Sequence, residues 1–197
     1  IRDAFALSQA SKMSTGEALK LAAFYENEDS YIVWAEITSQ MLGLGKLLFH
    51  TPLYAPFKIF SQGLFKDIVN KVGWSKKPKE AYSQTLLRST VIYALGANGD
   101  KEIKKKAKEI FEKFYRENTK LDPDLRGVVY NLAAENGGDV EYKKFMELYE
   151  RTSFQEEKDR ILRALCMFKD EKLLNKALDF SLSQQAKSQD LLKTISF

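Results

Sequence analysis

"PDLRGVVY", residues 123–130, predicts the start of a helix that carries one apolar stripe and a single arginine at the edge of that stripe. The Leu-Arg pair inside it occurs three times along the chain, at Leu87-Arg88, Leu125-Arg126 and Leu162-Arg163. The three pairs lie 38 and 37 residues apart. A helical phrase that returns at a nearly constant distance indicates a repeat.

Each copy of the repeat has the pattern of two helices joined by a short turn, "ANGD", "NGGD" or "FKD". Each turn ends on an aspartate in the N-cap position of the second helix: Asp100, Asp139 and Asp170. A helix pair of this size buries its apolar faces only by stacking against its neighbours. The period lies between the ~34 residues of tetratricopeptide repeats and the ~40–47 of HEAT-type repeats. We therefore predict an all-α fold, an α-solenoid of antiparallel, HEAT-like helix pairs.

The domain prediction is a single helical-repeat domain over residues 1–197, with three repeats in 78–197 and a less regular end of the stack in 1–75. In residues 1–75, Ser14 and Glu17 form a predicted capping box, and "YIVWAEITSQML" predicts a long helix before a break in "HTPLYAP". A further apolar stripe then ends at Gly73. The chain opens on Ile1 rather than on methionine and stops within a helical pattern at Phe197. We therefore expect a fragment of a longer protein.

The composition excludes several classes of protein. A hydrophobic fraction of 44% argues against disorder, and the 31 basic residues are offset by 27 acidic ones, so net charge does not indicate nucleic-acid binding. The most basic segment, "KEIKKKAKE", is interpreted as a solvated helix face, with electrostatic nucleic-acid binding as an alternative. No uncharged apolar run approaches the ~18–20 residues of a membrane span. Cys166 is the only cysteine, which excludes an intrachain disulfide and favours a cytoplasmic location.

His50 is the only histidine, which excludes an H-E-x-x-H zinc site and any two-histidine metal site within the chain. We therefore predict no catalytic residue, no metal ligand and no bound cofactor in these 197 residues. The carboxylate pair Glu156-Glu157 lies at a helix start, where it complements the helix dipole. Cys166 is expected to be a small buried apolar side chain rather than a reactive thiol.

The arginines of the repeat share one position relative to the apolar stripe. At 100° per residue, Arg126 lies on the flank of its stripe, as do Arg88 and Arg163, so stacking would align them as an arginine ladder. In the structural interpretation, which we favour, each arginine pairs with a carboxylate such as Asp124 or Asp159. In the functional one, the ladder binds an acidic or carboxylate-ended partner through forked hydrogen bonds.

Three segments carry a resemblance to a known family: "LDPDLRGVVYNLAAENGG" (121–138), "YERTSFQEEKDRILRALCMFKD" (149–170) and "KALDFSLSQQAKSQDL" (176–191). They resemble the C-terminal helical domain, of the endoplasmic-reticulum-aminopeptidase type, of the zinc aminopeptidase family of aminopeptidase N and puromycin-sensitive aminopeptidase. "RDAFALSQASKMSTGEALKL", Trp34 and "VGW" match the opening of that domain. The resemblance thus extends over nearly all of the chain.

The resemblance implies a function that the repeats alone do not. The family's zinc ligands and its G-x-M-E-N motif lie in a separate catalytic domain, so this chain is expected to be inactive alone. It would enclose the substrate cavity against its own catalytic domain and contact the far end of peptide substrates. Candidate peptide-binding residues are Gln189, Asp190 and Lys187, although relatives commonly have arginine at the last position and lysine lacks its fork. The alternative is a free-standing HEAT-like adaptor that binds a protein or peptide.

Overall fold

The computed structural model describes residues 1–117 and 119–183 of the chain. Within these ranges it contains ten α-helices and no β-strand, which confirms the predicted all-α class. The helices are α1 (Arg2–Gln9), α2 (Thr15–Phe24), α3 (Tyr31–Leu48), α4 (Tyr54–Val72), α5 (Tyr82–Ala97), α6 (Lys101–Glu117), α7 (Pro123–Glu135), α8 (Asp139–Arg151), α9 (Gln155–Leu165) and α10 (Glu171–Leu182).

The chain divides into two compact units, Ile1–Ile103 and a second one that starts at Lys104. The division falls inside α6. The expectation of one repeat domain over residues 1–197 stays a prediction. No helix of the described ranges combines the length and the low charge that a bilayer crossing requires.

The first unit contains α1 to α5, and its local signals agree with the sequence. The Ser14 hydroxyl accepts a hydrogen bond from the Glu17 N–H at 3.2 Å, and the Glu17 carboxylate accepts one from the Ser14 N–H at 3.1 Å, which confirms the capping box. Both α3 and α4 pack on α5, and the rings of Trp34 and Phe65 lie 5.5 Å apart. At the end of α4, Gly73 has a φ of 63°, in the left-handed region where glycine carries no Cβ penalty.

The second unit brings together the helices that follow one another in the predicted repeats. Three side-chain pairs join α6 to α8 in the same order along both helices: Lys108–Glu141, Glu112–Lys144 and Tyr115–Glu147. The two helices therefore run parallel, as the second helices of successive stacked pairs should. Between them the buried rings of Phe111 and Phe145 stack with centroids 4.5 Å apart. On the other side, α7 packs on α9, which also contacts α8 and α10.

Two of the three predicted N-caps are confirmed and one is wrong. Asp100 accepts a hydrogen bond from the Ile103 N–H at 2.9 Å, and Asp170 caps α10 in the same way. Asp139, however, is the first residue of α8, and the N-cap is Gly138. The Glu141 side chain reaches back and accepts from the Gly138 N–H at 2.9 Å, so the cap needs no side chain at residue 138.

Candidate functional site

Arg88 is buried in the first unit, with 1% of its surface exposed. Its guanidinium makes a two-pronged ion pair with Glu80, with N–O distances of 2.5 and 2.7 Å, and its Nε donates to the Gly73 carbonyl at 3.1 Å. Hydrogen bonds from Arg88 and from the Lys77 N–H hold the pKa of Glu80 at about 2. Arg88 thus joins the start of α5 to the end of α4 through the loop between them.

Arg126 belongs to a cluster in the second unit that is centred on Glu157. Its Nη1 donates to Glu157 Oε2 at 3.0 Å, and Arg160 donates to the same oxygen at 3.1 Å. The other carboxylate oxygen accepts from the Tyr130 hydroxyl at 2.6 Å. Burial alone would raise the pKa of Glu157, but the hydrogen bonds from Tyr130 and Arg126 hold it below its usual range. We call Glu157, Arg126, Arg160 and Tyr130 the Glu157 cluster.

These contacts give the partners of two arginines of the predicted ladder, but not the alignment of all three. Arg88 and Arg126 each pair with a glutamate rather than with the suggested Asp124 or Asp159. Arg163 lies on the exposed side of α9. Since Arg88 belongs to the first unit and the other two arginines to the second, their alignment along one edge stays a prediction.

A groove of about 1060 Å³ lies beside the Glu157 cluster. It is bounded by the end of α6, the start of α7 and the connection from α8 to α9. Four arginines line it, together with two glutamates and the exposed ring of Phe154; the arginines are Arg116, Arg126, Arg151 and Arg160. We call this feature the arginine groove.

The carboxylates closest to the two outer arginines of the groove are shared with other donors. Glu147 accepts from the Tyr115 hydroxyl at 2.5 Å as well as from Arg151 at 3.0 Å. Glu112 pairs with Lys144 and lies 3.4 Å from the Nε of Arg116. Because each carboxylate serves two partners, the charges of Arg116 and Arg151 are only partly compensated.

The remaining sequence candidates lie apart from the groove. Lys187, Gln189 and Asp190 fall outside the described residues. His50 is exposed in the connection between α3 and α4, where its ring lies 4.7 Å from that of Phe49. In the described ranges, no group of three or more His, Cys, Asp or Glu side chains is arranged to hold a metal ion.

Cys166 is half-buried at the end of α9, and its thiol donates to the Leu162 carbonyl at 3.2 Å. Burial raises the pKa of this thiol to about 11. The thiol is therefore protonated at neutral pH and is a weak nucleophile.

The sequence did not indicate the arginine groove. The position of Glu157 at a helix start predicts a helix-dipole residue, whereas in the structure it is the centre of a cluster of charged and polar side chains. Glu157 and Arg160 lie three residues apart on one helix, and this spacing does predict the contact between them. The contact with Arg126 joins α7 to α9 and follows only from the packing of the two helices.

Comparison with known proteins gives a consistent assignment. The chain matches the model of the ERAP1-like C-terminal domain over residues 1–196. The alanine/arginine aminopeptidase of Saccharomyces cerevisiae is 30% identical over 193 residues, which cover 96% of this chain and 22% of that protein. Aminopeptidase M1 of Arabidopsis thaliana is 29% identical, with 98% and 23% covered, and human glutamyl aminopeptidase is 28% identical, with 100% and 21% covered.

The chain thus spans about a fifth of the length of these relatives. The match confirms the resemblance on which the sequence interpretation rests. The chain belongs to the family of ERAP1-like C-terminal domains, which aminopeptidases carry.

Proposed function

We propose that the chain is the non-catalytic C-terminal domain of a zinc-dependent aminopeptidase, where it encloses the cavity that holds the peptide substrate. The observation that carries this proposal is the family match over residues 1–196, together with relatives that are named aminopeptidases and are nearly five times longer. The single histidine of the sequence cannot form the H-E-x-x-H zinc motif. The zinc and its ligands therefore belong to the catalytic domain of the parent protein.

Two partners follow from this proposal. The first is the catalytic domain of the same parent chain, against which this domain closes. The second is the peptide substrate, whose far end extends beyond the catalytic centre and meets the helical domain. The single cysteine, Cys166, allows no intrachain disulfide, which fits a parent protein of the reducing cytoplasm.

The experiment compares the 197-residue chain with the full-length parent protein. The chain alone, with zinc added, should release no amino acid from amino-acid amides or peptides. The parent should remove amino-terminal residues one at a time and lose this activity with a zinc chelator. Robust hydrolysis by the chain alone, or a parent gene without an H-E-x-x-H motif, would refute the proposal.

A further inference from the structure

We propose that the arginine groove binds an acidic stretch of peptide, whose side-chain carboxylates meet Arg116 and Arg151 while an apolar side chain packs on Phe154. This goes beyond the proposed function because it is a binding activity of the chain itself, independent of zinc and of the catalytic domain. It rests on the charge balance, the unused hydrogen-bond donors, the rigid base and the exposed ring of the groove.

The charge balance of the groove is positive. Four arginines face two glutamates there, and one of these glutamates, Glu157, is already engaged by two guanidinium groups and the Tyr130 hydroxyl. Glu156 is the other, and its Oε2 lies 3.6 Å from Arg160. Glu112 and Glu147, which contact Arg116 and Arg151 from beside the groove, offset part of this charge, but together with Lys144 the four arginines still leave a net positive charge. This charge attracts carboxylates and repels cations.

The two outer arginines retain most of their donors. A guanidinium offers five N–H groups in a fixed fork. Arg151 donates to Glu147, and its guanidinium lies over the Tyr115 ring, 5.8 Å from the centroid, while Arg116 makes an ion-pair contact with Glu112. Their side chains are 65% and 73% exposed. Each can thus offer a pair of N–H groups to a carboxylate without giving up a buried partner.

The inner arginines form a base whose position is set before a ligand arrives. Arg126 is held by Glu157 and by the Leu121 carbonyl, and its guanidinium lies over the ring of Phe114, 5.6 Å from the centroid. Arg160 is held by the same Glu157. Because hydrogen bonds already hold these two side chains, they lose little conformational entropy when a ligand binds.

Phe154 gives the groove an apolar contact beside its charges. It is the N-cap residue of α9, and 76% of its surface is exposed. A large exposed aromatic ring in a groove that arginines also line suits a peptide in which acidic residues flank an apolar one. This combination favours an acidic peptide over a polyphosphate, which has no apolar group for the ring, and over an oligonucleotide, which offers the ring only a stacked base.

The test measures binding of the heptapeptide Glu-Glu-Gly-Phe-Gly-Glu-Glu-amide, with a dye attached to its terminal amino group, to the 197-residue chain by fluorescence anisotropy. Blocked ends ensure that only side-chain carboxylates are tested. We expect binding that weakens as NaCl rises from about 0.05 to about 0.5 M, and little binding of the peptide with Gln in place of Glu. The double variant Arg116→Glu, Arg151→Glu should bind about tenfold more weakly.

A matched control carries the same change in net charge outside the groove. Lys101→Glu with Lys105→Glu alters two exposed lysines of α6 and should leave the affinity unchanged. Arg116→Gln with Arg151→Gln provides a milder second variant, and circular dichroism checks that each variant is folded. Equal binding by the groove variant, equal loss in the lysine control, equal binding of the Gln peptide, or tighter binding of a single-stranded oligonucleotide would overturn the proposal.

Discussion

At the residue scale, Arg88 in the first unit and Arg126 in the second share one position in the repeat, but their neighbours give them different roles. Arg88 has a buried carboxylate and a carbonyl as partners, so it joins a loop to two helices. Arg126 shares Glu157 with Arg160 at the base of the arginine groove, whose outer arginines are Arg116 and Arg151. The same position on a helix flank thus stabilises local structure in one unit and borders a groove in the other.

The pairing of Arg88 with Glu80 predicts a dependence of stability on pH. The pKa of Glu80 is 4.5 unperturbed and about 2 in the folded chain. A carboxyl group whose folded pKa is depressed contributes stability fully above its unfolded pKa, and this contribution is lost as the pH falls from about 4.5 towards 2. In Glu80→Gln, the free energy of unfolding should therefore fall less between about pH 6 and about pH 3 than in the wild type.

Urea unfolding, followed by circular dichroism at the two pH values, measures the difference. Glu102→Gln, at an exposed position near the start of α6, serves as the control and should follow the wild type. If Glu80→Gln and the wild type lost the same stability on acidification, the ion pair would not be the source of the dependence.

At the element scale, the turns between helices are set by backbone contacts as much as by capping side chains. In the turn from α7 to α8, a Cβ on Gly137 would lie 2.8 Å from the Glu141 Cβ and 2.9 Å from the Ala133 carbonyl oxygen. A Cβ on the neighbouring Gly138 would meet nothing within 4 Å. Of these two adjacent glycines, only Gly137 is required by its surroundings to lack a Cβ.

We expect Gly137→Ala to destabilise the chain by about 1 to 3 kcal/mol, because the added methyl group must displace backbone that holds the cap of α8. Gly138→Ala is the matched control, since its φ of −133° suits any residue and its surroundings are open. Thermal and urea unfolding compare the two variants. A loss of stability in Gly138→Ala as large as in Gly137→Ala would contradict this account of the turn.

The helices themselves could be predicted because their signals are local. The capping box at Ser14, the break after α3 and the stop at Gly73 each depend on residues within a few positions of one another. The prediction for Asp139 is wrong because an aspartate at the N-cap and a glutamate at the third helical position both suit a helix start. Only the backbone conformation decides which of the two side chains caps the helix.

At the scale of the whole molecule, folding brings charged side chains together in a way that the composition does not reveal. The net charge of +4 indicates no partner, but the arginines at positions 116, 126, 151 and 160 come from four helices and meet at one groove. Such a meeting cannot be predicted from spacing along the chain, since it depends on how α6, α7, α8 and α9 pack. The repeat predicted that these helices stack, whereas the side chains at their ends determine what the stack can bind.

If the chain is the C-terminal domain of an aminopeptidase, as proposed above, the arginine groove predicts a selective change in the kinetics of the full-length parent protein. Arg116→Glu with Arg151→Glu should leave kcat and KM unchanged for a small amino-acid amide, which does not extend to the helical domain. For a long peptide with acidic residues in its distal part, KM should rise by about three- to tenfold while kcat is unchanged. An unchanged KM for the acidic peptide would show that substrates do not use the groove, even if the isolated chain binds acidic peptides.

The cap of α8 has a consequence for how such a chain can change in length. Because Glu141 accepts from the backbone N–H of Gly138, the first turn of this helix is closed without a side chain at position 138. An insertion or deletion that keeps a glycine at the position of Gly137 leaves that closure intact. Copies of the motif can therefore differ by one residue, as the intervals of 38 and 37 do, without leaving a helix end open.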